Sequence, residues 1–456
     1  MANETAILAA FAADLRFEDL PPAVVERAKL LTLDLLGSAV RARVEADSTP
    51  AIFAALRQLD LLGEGRCTVM GDKQGYGPVL AALLNGVLGH SLDFDDTHAE
   101  SSLHPSAPVA PAALAVGERF GLSGEAVLTA IVAGYEVCCR IGNALNPTAH
   151  YARGFHPTAT AGVFGGAAAV GKLMGVDTAG MISAFGVAGS HASGSLQFLV
   201  NGAWNKRWQV GVAARDGVLA GTLAANGFVG AIEALEGKHG FLKGYSDGAD
   251  PARVVQGLGT EWETMRIGVK PYPSCRYSHA ALDGLIALRR EHDLAANDIE
   301  RVEIGLHRNG ITLTASPLEA KRRPANVVEG QFSMPFTAAV ALDQGSFGWD
   351  DYRRLGEPAI EAMAQRIDVR QDDRVEAASP HPFGARVALF TRKGMFERAM
   401  TDPSGEPESF PDEAAFLRKF NTLAEPVLGA NAARLAEAIL GLEKLPDLAA
   451  LRAGRG

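Results

Sequence analysis

The chain has 456 residues, of which 47% are hydrophobic and 21% are charged. This is the composition of a globular protein rather than of a disordered or fibrous one. The length exceeds that of a usual single domain and predicts two or three folding units, one of which can be interrupted by another. The net charge of −10, with basic residues scattered along the chain, argues against a general nucleic-acid surface. An anionic ligand would therefore need a local basic site.

The cysteines and the N-terminal sequence indicate the cellular compartment. Cys67, Cys138, Cys139 and Cys275 form neither a CxxC pair nor a regular disulfide framework. The first residues, MANETAILAAFAADL, lack the basic and then apolar regions of a secretory signal. Every stretch long enough to span a bilayer contains polar residues. We predict a cytoplasmic protein with reduced thiols that is not embedded in a membrane.

The first half of the chain has helical periodicity. In LPPAVVERAKLLTLDLLGSAV, apolar residues recur at helical spacing behind a proline that suits a helix start. Similar patterns continue through residues 76–90, 104–120, 123–146 and 157–174. Glycine and alanine are abundant from about residue 157 to residue 230. Because a glycine inside a helix costs about 1 kcal/mol, so many of them predict helices that pack closely against their neighbours.

The pattern changes after residue 265. Residues 279–292 predict a helix, IERVEIGLH alternates in the manner of a strand, and ARVALFTRKGMFERAM predicts two strands around a Lys-Gly turn. Helical periodicity returns from Asp412. We predict a mainly α protein, in which residues 1–265 and 400–456 form one all-helical domain and residues 266–399 form a smaller α+β domain.

The segment SLDFDDTHAESSLHPSAP, which begins at Ser91, contains four carboxylates and two histidines. Its DFDDT sequence fits the D-x-D-x-T motif of haloacid-dehalogenase phosphatases. That chemistry needs the first aspartate, here Asp93, at the end of a hydrophobic parallel strand, whereas a helical pattern precedes it. The motif alone therefore does not indicate a phosphatase.

Two other interpretations of this segment are a zinc site and a solvated loop. His90, His98 and His104 could bind zinc, but the sequence has no HExxH motif or cysteine cluster to anchor such a site. The simplest alternative is that the aspartates cap and solvate a helix-to-loop junction. We expect Asp95, Asp96 and Glu100 to be scaffolding or solvated, and we expect no bound metal.

Two histidines stand at matching positions, His104 directly before Pro105 and His156 directly before Pro157. Each precedes a predicted helix whose first turn carries proline with serine or threonine. Helix N-termini expose free N–H groups and a partial positive charge, which attract carboxylates and disfavour a protonated imidazole. A single histidine of this kind is often a structural cap. Two of them facing one pocket would bind an anion and supply acid or base groups near neutral pH.

Two lysines have unusual surroundings. Lys206 has a tryptophan two residues away on either side, and Lys270 lies at the proposed domain junction with Arg276 and His279 nearby in the sequence. A lysine beside aromatic or apolar groups can act as a base, or it can stay charged and pair with a carboxylate. Its stem can also simply pack on tryptophan while the head stays in water. Tyr151 adds a phenol close in sequence to the second histidine.

At these positions the sequence resembles the MmgE/PrpD family, which includes 2-methylcitrate dehydratase, cis-aconitate decarboxylase and iminodisuccinate epimerase. The matching segments are GHSLDFDDTH with the following HPS, GFHPTATAG, NKRWQVGVAARDG and KPYPSCRYSHAALDG. They span residues 89–285, and the helical start and end of the chain fit as well. Together these motifs are specific, although each alone is weak.

The resemblance implies a large all-helical domain built from both chain ends, a smaller α+β lid domain, and a homodimer that uses neither a metal nor an organic cofactor. It also implies an active site lined by Asp93, Thr97, His104, His156, Lys206 and Lys270. With the residues chosen above, the expected catalytic groups are His156, Lys206, His104, Asp93 and Tyr151. The expected substrate-binding groups are Thr97, Lys270, Arg276 and His279.

The family's shared chemistry is removal of a proton from a carbon next to a carboxylate, here in a small di- or tricarboxylate. This step needs a base, donors that hold the developing charge, and a second group that handles a proton. We assign the proton exchange to His156 or Lys206, with Tyr151 as a further candidate. Asp93 would orient a histidine or a lysine. The carboxylates would be held by Lys270, Arg276 and the helix end at His104.

The overall reaction expected first is dehydration of the 2-methylcitrate dehydratase type, and the alternative is epimerisation of an iminodisuccinate-like dicarboxylate. Decarboxylation ranks last, because EGQFSMPFTAAVAL contains no tyrosine where the decarboxylase branch carries one, and KPYPSCRYSH is closer to the epimerase-like members. A non-catalytic dimeric binding protein would be expected to have lost key polar groups. Every main motif position is nevertheless filled.

Overall fold

The computed structural model describes residues 3–378 and 383–456, which form two compact units. Within these ranges, the larger unit consists of residues 3–268 and 411–456, and the smaller one of residues 269–378 and 383–410. The protein is mainly α-helical, with a smaller α+β region, in agreement with the predicted fold class. No helix in the described ranges is both long and apolar enough to cross a membrane.

The N-terminal part of the larger unit is helical with three short strands. Its helices are α1 (Glu4–Asp14), α2 (Pro22–Glu45), α3 (Thr49–Gln58), α4 (Pro78–Gly89), α5 (Ser106–Phe120), α6 (Gly124–Ala144), α7 (Pro147–Ala152), α8 (Pro157–Thr160), α9 (Gly162–Leu173), α10 (Thr178–His191), α11 (Asn205–Ala225) and α12 (Phe241–Tyr245). Its strands are β1 (Cys67–Thr68), β2 (Gly75–Tyr76) and β3 (Thr97–His98). β4 (Ile267–Gly268) closes this part and pairs antiparallel with β3.

Close glycine contacts explain the glycine-rich composition of this core. A Cβ atom on Gly86 of α4 would lie 2.9 Å from the Cα atom of Gly211 in α11. A Cβ atom on Gly166 of α9 would lie 3.2 Å from the Cα atom of Gly217, also in α11. These backbones approach so closely that a larger residue would push α4 and α9 away from α11. The glycines therefore fix the position of α11, whose first turns carry Lys206.

The smaller unit packs helices against a four-stranded sheet. Its helices are α13 (His279–Glu291), α14 (Arg308–Gly310), α15 (Leu318–Arg322), α16 (Val327–Gln331), α17 (Met334–Gln344), α18 (Pro358–Ala364) and α19 (Asp373–Glu376). Its strands are β5 (Ile299–Leu306), β6 (Ile367–Gln371), β7 (Ala385–Thr391) and β8 (Gly394–Met400), in the order β6-β5-β7-β8. Only β5 and β6 pair in parallel among the described strands. The predicted helix and the three predicted strand segments all lie here.

The chain then returns to the larger unit with α20 (Glu413–Leu428) and α21 (Asn431–Leu440). The carboxylate of Asp412 accepts a hydrogen bond from the amide of Ala415 at 2.8 Å, which starts α20 by satisfying a free N–H group of its first turn. Apolar residues of α20 such as Phe416 and Phe420 are buried, and α20 packs against α2. The C-terminal helices therefore complete the core that the N-terminal helices begin.

Candidate active site

The candidate site is organised by the loop of residues 90–96, which joins α4 to β3. Asp93 in this loop has a φ of 52°, in the left-handed region that aspartate tolerates better than most residues. The loop follows a helix, so the parallel strand required for haloacid-dehalogenase chemistry is absent at this position. The side chains of Asp93, Asp95 and Asp96 in this loop are buried, and each contacts a different neighbour.

Asp93 forms an ion pair with Lys206. Lys206 lies in the first turn of α11, and its side chain is 20% exposed, compared with 8% for Asp93. Because both groups are largely shielded from water, their attraction is screened less than that of a surface pair. The pair places a cation at the edge of the site with its carboxylate partner beneath it.

His90 and Asp95 form a second pair in the same loop. The Nδ1 atom of His90 lies 2.6 Å from the Asp95 carboxylate, and both side chains are fully buried. A carboxylate at this distance accepts the Nδ1–H proton, which orients the ring and leaves its Nε2 edge facing away from Asp95. The His90 ring lies 4.9 Å from the ring of His104 and 6.0 Å from that of His156, measured between centroids. His90 is therefore the middle member of three clustered imidazoles.

His104 stands two residues before the first residue of α5. Its Nδ1 atom lies 2.6 Å from the backbone carbonyl oxygen of Asp96, and its amide donates to Oγ1 of Thr158 at 3.1 Å. A carbonyl oxygen can only accept, so Nδ1 carries a proton. In the neutral ring the lone pair is then on Nε2. The side chain of His104 is 13% exposed, which leaves part of this ring accessible.

Asp96 holds the start of α5. Its carboxylate accepts hydrogen bonds from the hydroxyl of Ser106 at 2.5 Å and from the amide of Ser106 at 3.3 Å. The Ser106 hydroxyl is also 2.6 Å from that of Tyr135. Burial, reinforced by the neighbouring Asp95 charge, raises the pKa of Asp96 well above its usual range. Asp96 thus links the helix start to the proton position of His104.

His156 is fully surrounded by protein. It precedes α8, which is a single turn separated from α9 at Ala161, so the predicted continuous helix 157–174 is divided. The Nε2 amide of Gln209 donates to Nδ1 of His156 at 2.9 Å. Gln209 is three residues after Lys206 on the same side of α11. Burial, with electrostatic repulsion from the neighbouring His90 and Lys206, holds the pKa of His156 well below its usual range.

Ligand atoms of His90, Asp95 and His104 lie within 4.8 Å of one another, close enough for a metal site. The Nδ1 atoms of both histidines are already directed at oxygen acceptors, so a cation bound through Nδ1 would have to displace these protons. His98, considered above as a zinc ligand, is not part of this group of three residues. Its ring contacts Ser101 and Glu263. The geometry is that of a hydrogen-bonded cluster.

The other acidic residues and the threonine of this segment differ in their exposure to solvent. Asp95 and Asp96 are not solvated, because they are 0% and 1% exposed, respectively. Glu100 is half exposed and pairs with Arg253 and Arg266. Thr97 lies in β3, and its buried hydroxyl has no hydrogen-bond partner among the described residues, which leaves it available to a ligand.

Tyr151 is more exposed than the three clustered histidines. Its side chain is 37% exposed, and its hydroxyl donates to the backbone carbonyl of Ser102 at 3.3 Å. The predicted role of Tyr151 in proton exchange remains a prediction.

The remaining predicted residues belong to the smaller unit. Lys270 is 3% exposed. Arg276 donates to the Glu406 carboxylate at 2.5 Å and to the carbonyl of Val269 at 3.1 Å, and it contacts Nδ1 of His279 at 3.2 Å. These contacts satisfy much of the Arg276 guanidinium within its own unit. The predicted roles of Lys270, Arg276 and His279 in substrate binding remain predictions.

Sequence reasoning missed two members of the cluster. Gln209 carries no charge and was given no role within the matching segment NKRWQVGVAARDG, and His90 was considered only as a zinc ligand. Helical spacing was the available signal for Gln209, since it follows Lys206 by three residues. For His90, the signal was its position five residues before Asp95 at the end of a predicted helix.

Comparison of the sequence with known proteins identifies the family of the chain. The family model for the MmgE/PrpD N-terminal domain matches residues 6–254, and that for the MmgE/PrpD C-terminal domain matches residues 272–444. A cis-aconitate decarboxylase of Aspergillus terreus is 31% identical over 97% of this chain and 93% of its own length. A cis-aconitate decarboxylase-like protein of Aspergillus oryzae is 28% identical over 99% and 97%, and human cis-aconitate decarboxylase is 28% identical over 78% and 74%. The cis-aconitate decarboxylases among these relatives are enzymes. The chain itself belongs to the MmgE/PrpD family.

Proposed function

We propose that this protein is a lyase that moves a proton at a carbon next to a carboxylate in a small di- or tricarboxylate, and that the overall reaction is loss of water. The observation that carries the proposal is the opposite proton placement on two imidazoles that both lie beside His90. His104 donates through Nδ1 to a carbonyl, whereas His156 accepts at Nδ1 from an amide. Both rings therefore present Nε2 to a ligand, as a lone pair on His104 and as an N–H group on His156.

His104 supplies the base in this proposal. With its proton on Nδ1, the neutral ring has its lone pair on Nε2, and it is the more exposed of the two predicted histidines. Removal of a weakly acidic proton next to a carboxylate needs such a base within hydrogen-bonding reach of the carbon acid. This differs from the initial assignment, which gave proton exchange to His156 or Lys206.

His156 supplies a neutral hydrogen-bond donor. Because Gln209 donates to Nδ1, the single proton of the neutral ring is on Nε2. Its lowered pKa keeps the ring neutral near pH 7. A neutral imidazole can polarise a substrate carboxyl group and stabilise the charge that develops there, as neutral histidine does in other carbon-acid enzymes.

The leaving group requires a proton. After the base removes the proton from the carbon, a double bond forms and the bond to the hydroxyl group on the adjacent carbon breaks. In this proposal the Lys206 ammonium, oriented by Asp93, protonates the departing oxygen so that it leaves as water. The Thr97 hydroxyl, which has no hydrogen-bond partner among the described residues, binds a substrate carboxylate. No step requires a metal or an organic cofactor.

Decarboxylation is the second candidate, and the names of the relatives favour it. That reaction breaks a carbon–carbon bond and delivers a proton to carbon, so its proton-transfer group must start protonated. The deprotonated Nε2 edge of His104 fits proton removal better than proton delivery. Epimerisation, in which the proton returns on the other face, uses the same base and is the third candidate.

Incubation with 2-methylcitrate, citrate, iminodisuccinate and cis-aconitate in D₂O tests the proposal. Dehydration predicts deuterium at the α-carbon of recovered substrate and a conjugated alkene detected by its ultraviolet absorbance. Release of CO₂ from cis-aconitate would instead establish decarboxylation, and inversion without an alkene would establish epimerisation. Absence of exchange with every acid would contradict carbon-acid chemistry. A chelator control should leave activity unchanged.

We also propose a cytoplasmic homodimer. Large exposed apolar side chains occur before and after α11, and they include Val200, Trp204, Val229 and Ile232, which are 42% to 85% exposed. Exposed apolar groups of this size are typical of surfaces that bind another protein. A second copy is the occupant that the family resemblance favours. Light scattering on the purified protein measures the mass directly.

A further inference from the structure

Lys419 connects the C-terminal helix α20 to the site loop. Its Nζ atom donates to the backbone carbonyl of Phe94 at 2.7 Å and lies 3.8 Å from the centroid of the Phe94 ring. The same ammonium group is 2.6 Å from the carboxylate of Asp34 in α2. The side chain is 15% exposed, whereas that of Asp34 is 1% exposed. One charged group thus binds a backbone oxygen, an aromatic face and a buried carboxylate.

The Phe94 carbonyl occupies a central position in the loop. Phe94 lies between Asp93, which pairs with Lys206, and Asp95, which pairs with His90. The Phe94 carbonyl is part of the peptide group between Phe94 and Asp95, so its rotation changes the backbone at Asp95 directly and reaches Asp93 through Phe94. The loop belongs to no helix or strand, so its backbone conformation depends on such individual contacts. Lys419 therefore holds the peptide group that lies between the two paired aspartates.

Asp34 gives Lys419 a fixed location. Asp34 is fully surrounded by protein, and burial raises its pKa while the Lys419 charge opposes that rise. A buried carboxylate is costly unless a cation compensates it, so the ammonium is held where it neutralises Asp34. α2 and α20 pack against each other, which keeps the two groups together. The position of the ammonium is therefore set by the helical core rather than by the loop.

We propose that Lys419 is a positioning residue that fixes the conformation of the loop of residues 90–96 and thereby the geometry of Asp93, Asp95 and the groups they orient. This role rests on the proposed function, in which Asp93 orients Lys206; in the same loop Asp95 orients His90. Lys419 contacts no reacting atom in this scheme. It acts through the Phe94 peptide and ring.

The first experiment compares Lys419→Met with Lys419→Arg. Methionine keeps the apolar stem and removes the charge and the donor, so kcat should fall about 10- to 100-fold, the range expected for a displacement near 1 Å in a catalytic group. KM should change much less, because the proposed carboxylate-binding side chains are unaltered. Arginine restores a donor and a charge, and should recover part of kcat. Equal kcat in Lys419→Met and wild type would overturn the proposal.

Lys172→Met is the matched control. Lys172 donates from α9 to the carbonyl of Ala13 in α1 at 2.6 Å, so it also joins two helices of the larger unit through a backbone oxygen. Its substitution should lower the thermal midpoint without lowering kcat. A comparable loss of kcat in this control would show that any such lysine affects activity through general stability, and would contradict a specific role for Lys419.

A double variant separates positioning from folding. Lys419→Met leaves Asp34 buried without its cation, so the protein should be destabilised. Adding Asp34→Asn removes that charge and should restore much of the thermal midpoint. Under the proposal, kcat stays low in the double variant because the Phe94 carbonyl is still not held. Recovery of kcat together with stability would assign Lys419 a purely structural role and overturn the proposal.

Amide hydrogen exchange tests the loop without any substrate. Residues 91–97 should exchange faster in Lys419→Met and in the double variant than in wild type, while α4 and α5 keep their protection. This readout does not depend on the proposed reaction. If no carboxylate is turned over but the loop exchange rises, the reaction is wrong and the positioning role stands. Unchanged loop exchange in both variants would contradict the positioning role.

Discussion

The two His-Pro junctions look alike in the sequence but differ in the structure. At His104–Pro105 the imidazole donates to a backbone carbonyl and remains partly exposed. At His156–Pro157 the imidazole accepts from a glutamine amide and is almost completely buried. The same dipeptide therefore presents a lone pair at one junction and an N–H group at the other. The partner of Nδ1, rather than the helix end, decides what each histidine can do.

The N-termini of the two helices contribute unequally to anion binding. α5 has fifteen residues, so its N-terminus carries a substantial partial charge near His104. α8 has four residues and makes a much weaker end beside His156. The anion-binding role expected equally for both junctions therefore applies better to the first. The predictions below test the difference between the two histidines, from the largest effect to the smallest.

The largest effect should come from glutamine substitutions at both junctions. Glutamine cannot take up a proton, so His104→Gln should lower kcat/KM by about 10² to 10⁴. His156→Gln keeps an N–H donor of similar reach, and should lower kcat/KM by about ten-fold. Steady-state rates and α-deuterium exchange measure both. If His156→Gln abolishes exchange while His104→Gln preserves it, the two roles are reversed.

A smaller effect should follow from substitution of the residue that sets the His156 tautomer. A carboxylate only accepts, so Gln209→Glu should move the proton of His156 to Nδ1 and raise the pKa of the ring. We expect kcat to fall about ten-fold, since one donor to a developing charge is lost. Nitrogen chemical shifts of the imidazole report the tautomer.

Gln209→Met is the neutral control, because it removes the hydrogen bond without adding a charge. It should leave the tautomer unspecified and lower kcat less than the glutamate variant. Rotation of the glutamine amide by 180° would also reverse the tautomer, so residue 209 controls which nitrogen carries the proton. Identical imidazole shifts in wild type and Gln209→Glu would contradict this control.

The smallest effect concerns the pH dependence of stability. The pKa of His156 is lower in the folded protein than in the unfolded chain, so below about pH 6.5 the unfolded chain binds more protons. The stability contribution of the neutral ring is fully present above that pH and is lost as the pH falls. The free energy of unfolding of wild type should therefore drop relative to His156→Gln, by at most about 1.4 kcal/mol per pH unit.

Denaturant unfolding at several pH values between about 7.5 and about 5, the range in which histidine titrates, measures this difference. His150, whose pKa burial also lowers, is present in both proteins, so its contribution cancels in the comparison. No difference in slope between the two proteins would mean that His156 binds its proton equally well in the folded and unfolded states.

The sequence predicted those parts of the protein that depend on local patterns. Helical periodicity located α2, α4, α5, α6 and α13, and alternation located β5, β7 and β8. The His-Pro dipeptides and the DFDDT segment directed attention to residues that the fold brings together. Chemistry-bearing residue types near helix ends are visible in a single sequence, because helix starts have recognisable signals.

The rest depended on contacts between distant segments. Lys419 lies 325 residues beyond Phe94, and no local pattern distinguishes it from an ordinary helical lysine. Asp95 and Asp96 were expected to be scaffolding or solvated, and the solvated alternative is wrong because α4, α5 and their neighbours enclose them. Burial of a carboxylate is a tertiary property. For the same reason, the role of Gln209 follows only from its contact with His156 in the folded protein.

The contact between Lys419 and Phe94 also has a consequence for the order in which the protein matures during synthesis. The chain emerges from the ribosome N-terminus first, so His90, His104, His156 and Lys206 are all available before α20 exists. The helical core around them can begin to collapse while the smaller unit is still being made. The loop between His90 and Asp96 nevertheless acquires its Lys419 contact only after α20 has been translated. Activity should therefore appear only after α20 has joined the helical core of the nascent protein.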